Sequence, residues 1–173
     1  DGTRQYVEAM IKHLDTIWSN WFTSNGYAEP MVSYRVLMPG DEPFSSTCGV
    51  TVTSDFPNAF YCSTDSTVTD GVTFQGELLL PAVTLARMWS GNMFGTQVSN
   101  RRRTGDFAAA TIVAHEFGHH VADELSQQSG AALPANPNKE LIADCFAGVW
   151  AYSMFLDSYL EEGDLDEALG GLE

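Results

Sequence analysis

The sequence predicts an α+β fold built as one domain: a helix, a small sheet, then helices. Three observations carry that reading. Tyr6, Val7, Met10, Ile11, Leu14, Ile17, Trp18 and Trp21 recur at steps of three and four, so they share one face of a helix. Val32, Tyr34 and Val36 alternate with Ser33 and Arg35, the signature of a half-buried strand. The last 70 or so residues carry two long helical patterns and no strand-like alternation. A chain of 173 residues fits one domain spanning 1–173. Folding at that length removes roughly 70% of the extended chain's surface from water, and an apolar fraction of 44% supplies the core. No internal repeat and no linker long enough to divide the chain is present.

In order, the first helix covers residues 3–24 and ends at Asn25-Gly26. The strand at 32–36 stops at Pro39-Gly40. Two β-like stretches follow, at 49–53 and 59–74, interrupted by residues 55–58 and by Asp70-Gly71. Residues 77–94, with Leu78, Leu79, Leu80, Val83, Leu85 and Met88, suit a helix with Pro81 in its first turn. A strong helix covers 106–127, capped by Thr104 or Asp106. Residues 128–138 form a Ser/Gly/Pro/Asn loop, a third long helix covers 138–160, and a short one, 164–169, stops at Gly170-Gly171. Trp18, Trp21, Trp89 and Trp150 all fall on helical apolar stripes and are expected in the core.

Charge narrows the possible partners. A formal net charge of −15 with eight Lys and Arg argues against nucleic acid or an anionic bilayer. It suits solubility in salty surroundings, with cationic peptides the other reading. Arg101, Arg102 and Arg103 sit in turn-like sequence and read as a solvated loop. No run of 18 apolar residues exists that could insert into a membrane. The chain starts at Asp1 without a signal-like segment, so it reads as a cut piece of a precursor or an expressed domain. Of three cysteines, Cys48 and Cys62 flank β-like runs, and Cys145 lies in a helical pattern as a core thiol. Two readings stand side by side: a Cys48–Cys62 bridge worth roughly 3 kcal/mol in an oxidising compartment, or three buried thiols in a cytosolic protein.

The chemistry is concentrated in the second long helix, which contains Ile112-Val113-Ala114-His115-Glu116-Phe117-Gly118-His119-His120-Val121. Positions four apart share a helix face, with Cβ atoms roughly 5–6 Å apart. His115 and His119 can therefore reach one Zn²⁺ at about 2.0–2.1 Å. Glu116 lies about 100° further around the helix. From there it can approach a water on the ion without ligating, as a general base does. Uncharged neighbours at 112–114, 117–118 and 120–121 let this helix be buried while its polar face lines a cleft. The opposing reading is a helix whose histidines sit singly on a solvated face. His120 reads as a packed or solvent-facing neighbour.

A catalytic zinc site needs a third protein ligand and an open position. The metzincin continuation fails, because positions 122 and 125 hold Ala122 and Leu125. Glu140, 21 residues after His119, opens the third helix in Glu140-Leu141-Ile142-Ala143-Asp144. It shares a face with Asp144, so Glu140 can ligate while Asp144 accepts the second N–H of a liganding His. Alone, Glu140 would be a carboxylate favoured by the helix dipole; after the two histidines it becomes the third ligand.

The pairing of His115-Glu116-Phe117-Gly118-His119-His120-Val121 with Glu140-Leu141-Ile142-Ala143-Asp144-Cys145-Phe146-Ala147-Gly148-Val149-Trp150-Ala151 resembles the neutral zinc metallopeptidase family of bacteria. The wider kinship is to the thermolysin-like gluzincins. Ala59-Phe60-Tyr61-Cys62-Ser63-Thr64-Asp65 and Glu162-Gly163-Asp164-Leu165-Asp166-Glu167-Ala168-Leu169 also resemble that family's motifs, spreading the matches over residues 48–169. The resemblance implies a zincin-like fold and hydrolysis of peptide bonds in peptide or protein substrates. It implies Zn²⁺ on His115, His119 and Glu140, with Glu116 catalytic. It implies a Cys48–Cys62 disulfide in an extracytoplasmic protein, secreted or membrane-anchored. It also implies further chain after Leu169, so a C-terminal portion is expected beyond this sequence. Thermolysin-like enzymes add a His or Tyr donor for the oxyanion, for which Tyr152 is one candidate. Two alternatives remain from other classes: a catalytically inactive zinc-binding regulatory or interaction module, and a plain helical scaffold.

Overall fold

The structure is a computed structural model that describes residues 2–90, 92–93, 96–97 and 105–172, with side chains for 2–90 and 105–169. The arginine cluster 101–103 and the proposed cap Thr104 lie outside the described residues. The fold is α+β, as the sequence predicts. Helix α1 (Gly2–Ser24) leads to strand β1 (Tyr34–Leu37), a small β2–β3 pair (Phe44–Ser45 and Thr51–Val52), and the long hairpin β4–β5 (Phe60–Thr69 and Val72–Pro81). Helix α2 (Ala82–Trp89) and a β6–β7 pair (Asn92–Met93 and Thr96–Gln97) follow. The chain finishes with α3 (Asp106–Ser129), α4 (Asn138–Leu156) and α5 (Asp164–Leu172).

The main sheet has the order β1-β5-β4, with β1 parallel and β4 antiparallel to the central β5. That position explains the largest departure from the sequence reading: residues 77–81 are strand, and the helix begins only at Ala82. A short apolar run such as Leu78-Leu79-Leu80 marks equally a buried helix or a strand covered on both faces. Here Leu78 and Leu80 face the α1/α3 core, while Leu79 packs with Leu37 and Val52 on the other face. Pro81 pairs opposite Leu37 at the strand's end, where its missing N–H costs little.

Helix α3 is the central post of the molecule. It contacts α1, α2, α4, α5, β4 and β5, and it is buried from Phe107 to Ala114 and from Glu116 to Asp123 with few breaks. Its N-terminus has Gly105 rather than a side chain as cap. Glu167 of α5 accepts the Phe107 N–H at 3.3 Å and leaves no room for a Cβ at Gly105. Helix α4 ends at Leu156, short of 160, because Ser158 turns left-handed (φ 62°). The Ser158 and Tyr159 N–H groups then close back on Phe155 and Met154. Helix α5 passes through Gly170-Gly171 to Leu172 instead of stopping there. Trp18 and Trp150 are buried, but Trp21 and Trp89 are 41% and 43% exposed, resting on Tyr27 and Tyr6. Cys145 is exposed, not a core thiol.

Cys48 and Cys62 form the expected disulfide. It fastens the β2–β3 turn to β4, and the buried Asp65 adds bonds from the Ser46 hydroxyl and the Thr47 N–H, both 2.7 Å. Removing the cross-link with Cys48→Ala and Cys62→Ala together should cost about 3 kcal/mol of stability, read from urea unfolding of the oxidised parent and the variant. Equal midpoints would mean that the Asp65 bonds alone hold this turn.

Candidate metal centre

Two helices build the site by the same device. On α3, His115 and His119 are four apart, and on α4, Glu140 and Asp144 are four apart. The helices touch at Gly118 and Ala143. A Cβ on Gly118 would sit 2.8 Å from the Ala143 carbonyl oxygen and 3.0 Å from its Cα, so only glycine allows this approach. Each pair straddles the contact with the same offsets, three residues before and one after. The four side chains therefore converge on one side of the crossing.

The resulting geometry is specific. Glu140 Oε2 lies 3.2 Å from His115 Nε2 and 3.2 Å from His119 Nε2, and the imidazoles stand edge-to-face at 88°. Asp144 Oδ1 is 2.8 Å from His115 Nδ1. If Nδ1–H donates to Asp144, the His115 Nε2 lone pair faces the Glu140 carboxylate. Lone pairs so placed repel unless a proton or a cation lies between them. A tetrahedral zinc with bonds of about 2.0–2.1 Å would space its ligand atoms by about 3.3–3.4 Å. Two imidazoles and one carboxylate at this spacing fit such an ion, and Glu140, about half exposed, leaves the cluster open to solvent. Burial lowers the pKa of His119, and the neighbouring His115 lowers it further, which favours the neutral, ligating imidazole.

Glu116 follows His115 on the helix and is only 7% exposed. Burial raises its pKa to about 7, opposed by His115 and by the backbone N–H of Tyr61, which donates to Oε2 at 2.8 Å. A nearby bound cation draws such a group back toward the carboxylate form. His120 is fully buried between the Tyr61 and Phe117 rings rather than facing solvent, and burial pushes its pKa down to about 4. Tyr152, 62% exposed, lies about two turns beyond Asp144 on α4 and lines the same cleft as Asp144. His13 accepts the Trp150 indole N–H at 3.0 Å and is committed elsewhere. In a second acidic cluster, Asp106, Asp164 and Glu167, Glu167 accepts the Phe107 N–H where α5 docks on α3, and Asp164 accepts the Glu161 N–H in the turn before α5.

Sequence reasoning missed two participants. Gly118 had a local signal, since glycine inside a helix costs about 1 kcal/mol relative to Ala and needs a reason. Tyr61 contributes to Glu116 through its backbone, which carries no residue-type signal.

The stretch holding these helices, residues 90–173, matches the family model described as "Putative neutral zinc metallopeptidase". Over that stretch the chain is similar to this family. The uncharacterized protein YpfJ of Escherichia coli K12 is 30% identical over 187 aligned residues, which take in 100% of this chain and 56% of YpfJ. The uncharacterized protein Rv2575 of Mycobacterium tuberculosis H37Rv is 50% identical over 54 residues, 28% of this chain and 18% of that protein. The chain thus spans about half the length of YpfJ. No solved structure was found to match it.

Gly118→Ala tests the helix contact. The added methyl meets backbone, not a side chain that can swing away, so α4 must shift and carry Glu140 off the histidines. Zinc affinity should fall roughly 10–100-fold, measured by competition with a chromogenic chelator, with the circular dichroism spectrum retained. Unchanged affinity would show that the close approach is not what sets the site.

Proposed function

We propose that this chain is a zinc-dependent peptidase domain spanning 1–173, with His115, His119 and Glu140 as metal ligands and Glu116 as general base. The observation that carries this reading is a Glu140 carboxylate oxygen 3.2 Å from each of two imidazole nitrogens, beside a buried carboxylate that does not join them. When bound, zinc supplies Lewis-acid activation of water and of the scissile carbonyl, and stabilises developing negative charge. Asp144 holds His115 in the tautomer that presents Nε2. Glu116, steadied by the Tyr61 N–H, takes the proton from the attacking water and passes it toward the leaving amine.

The substrate reading is an extended peptide. Strand β4 is an edge of the main sheet among the described residues, and the Tyr61 N–H next to Glu116 points away from β5 toward α3. A peptide aligned along that edge would gain main-chain hydrogen bonds close to the base. The disulfide supports an extracytoplasmic home. No helix among the described residues is long and apolar enough to cross a membrane.

Metal analysis of the purified protein should return about one Zn²⁺ per chain, lost in His115→Ala and in Glu140→Ala. A Glu140→Ala protein that holds zinc as tightly as the parent refutes the ligand set. Glu116→Gln keeps size and shape but removes the base, so zinc should remain while peptide cleavage falls by about 10²–10⁴-fold. If the zinc-loaded parent cuts nothing across a broad peptide library, the peptidase reading fails and a zinc-binding module takes its place.

A further inference from the structure

Glu116, His120 and Asp123 lie at i, i+4 and i+7 on α3 and so share a face. All three meet a single residue of the sheet. The Tyr61 N–H donates to Glu116 Oε2 at 2.8 Å. The Tyr61 ring stands 5.7 Å from the His120 imidazole, and burial together with the nearby Asp123 carboxylate raises the pKa of its phenol. Beneath the phenol lies Gly76 of β5, where a Cβ would come within 2.1 Å of the hydroxyl oxygen. Gly76 also has φ +82°, a conformation that side chains other than glycine resist. The ring therefore lies in a slot between a bare strand and two turns of α3.

We propose that Tyr61 is a positioning residue for Glu116: Asp123 and the Gly76 slot fix its side chain, and this sets the backbone N–H that orients the carboxylate. The proposal rests on reading Glu116 as the general base. Its logic is leverage. A backbone donor can be aimed only by fixing the residue that carries it, and Tyr61 is gripped about 10 Å further along the same helix that carries Glu116. Strand and helix then cannot rock about the single Tyr61–Glu116 bond. Lys139 Nζ lies 3.9 Å from Asp123 Oδ1 and gives that carboxylate a charged partner. His120 has no hydrogen-bond partner on either nitrogen among the described residues, so its role in the slot is as a wall.

The test compares Tyr61→Phe, Asp123→Ala and Asp123→Asn with the parent, zinc-loaded and zinc-free, by amide hydrogen exchange in NMR. Loss of the phenol's interaction with Asp123 should speed exchange at the residue-61 amide about tenfold in the first two variants. The Leu79 and Leu80 amides on β5 should keep the parent's rates, and Asp123→Asn, which retains an acceptor, should stay close to it. On a cleaved peptide, kcat should fall about tenfold or more with KM and zinc content unchanged. Parent-like exchange at residue 61 in Tyr61→Phe overturns the proposal, as does faster exchange with an unchanged kcat. Should Asp123→Ala fail to fold, Tyr61→Phe, which removes one oxygen, decides alone. A parent that cuts no peptide but shows the exchange effect would sink the peptidase reading while supporting the grip on Glu116.

Discussion

The close approach of α3 and α4 at Gly118 and Ala143 is the constraint on which the site depends. Neither helix carries enough ligands by itself. An α-helix can present two side chains to one point, four residues apart, and a third must come from another element whose backbone lies near. Ligand side chains are short, and Glu140 reaches both imidazoles only because no Cβ separates the helices where they cross. The same contact brings Asp144 against His115, so ligand and orienting group arrive by one packing event. Placing α3 at the centre, clasped by helices and sheet, keeps this crossing from sliding.

Burial then sets the chemistry. A carboxylate and two imidazoles at positions 116, 119 and 120 are taken largely out of water, which disfavours their charged forms: the acid is pushed up and the bases down. The outcome at the site is a neutral His119 beside Glu140, the only one of the three candidate ligands that is well exposed. Such a set of acceptors is poorly satisfied by protein donors. Nδ1 of His119 has no partner among the described residues, so its Nε2 is not fixed by a carboxylate in the way that Asp144 fixes His115. The two histidines are therefore held differently, one by hydrogen bonding and one by packing.

How much of this could be read in advance follows from the range of each signal. Helices α1 and α3 were legible because their periodicity is local and their burial one-sided or complete. The residues brought together at the site were legible because residue type and four-residue spacing are also local. Residues 77–81 were not, since Leu78, Leu79 and Leu80 look alike whether two faces of a strand or one buried helix hold them. Trp21 lies at the margin of α1's apolar stripe, next to the fully buried Phe22, and Trp89 is the last residue of α2. A glycine inside a helix, as at Gly118, signals that something comes close, but which element approaches Gly105 or Gly118 is a fact about that neighbour, which the local sequence does not record.

Strand β4 shows how a small sheet can hold a functional group steadily. Tyr61 and Cys62 are consecutive, so their side chains leave opposite faces of the strand. Tyr61 goes to α3, and Cys62 is tied to Cys48 in the β2–β3 turn. Just beyond, the register with β5 breaks between Cys62 and Ser66, and Asp65 binds that same turn through Ser46 and Thr47. An edge strand with one free side would be the most mobile part of such a sheet. Here it is clamped on one face by a covalent bond with buried hydrogen bonds, and on the other by the helix that carries Glu116. The hydrogen bond to Glu116 thus originates at a point where the strand is held on both faces, which is what a backbone donor needs in order to keep its direction.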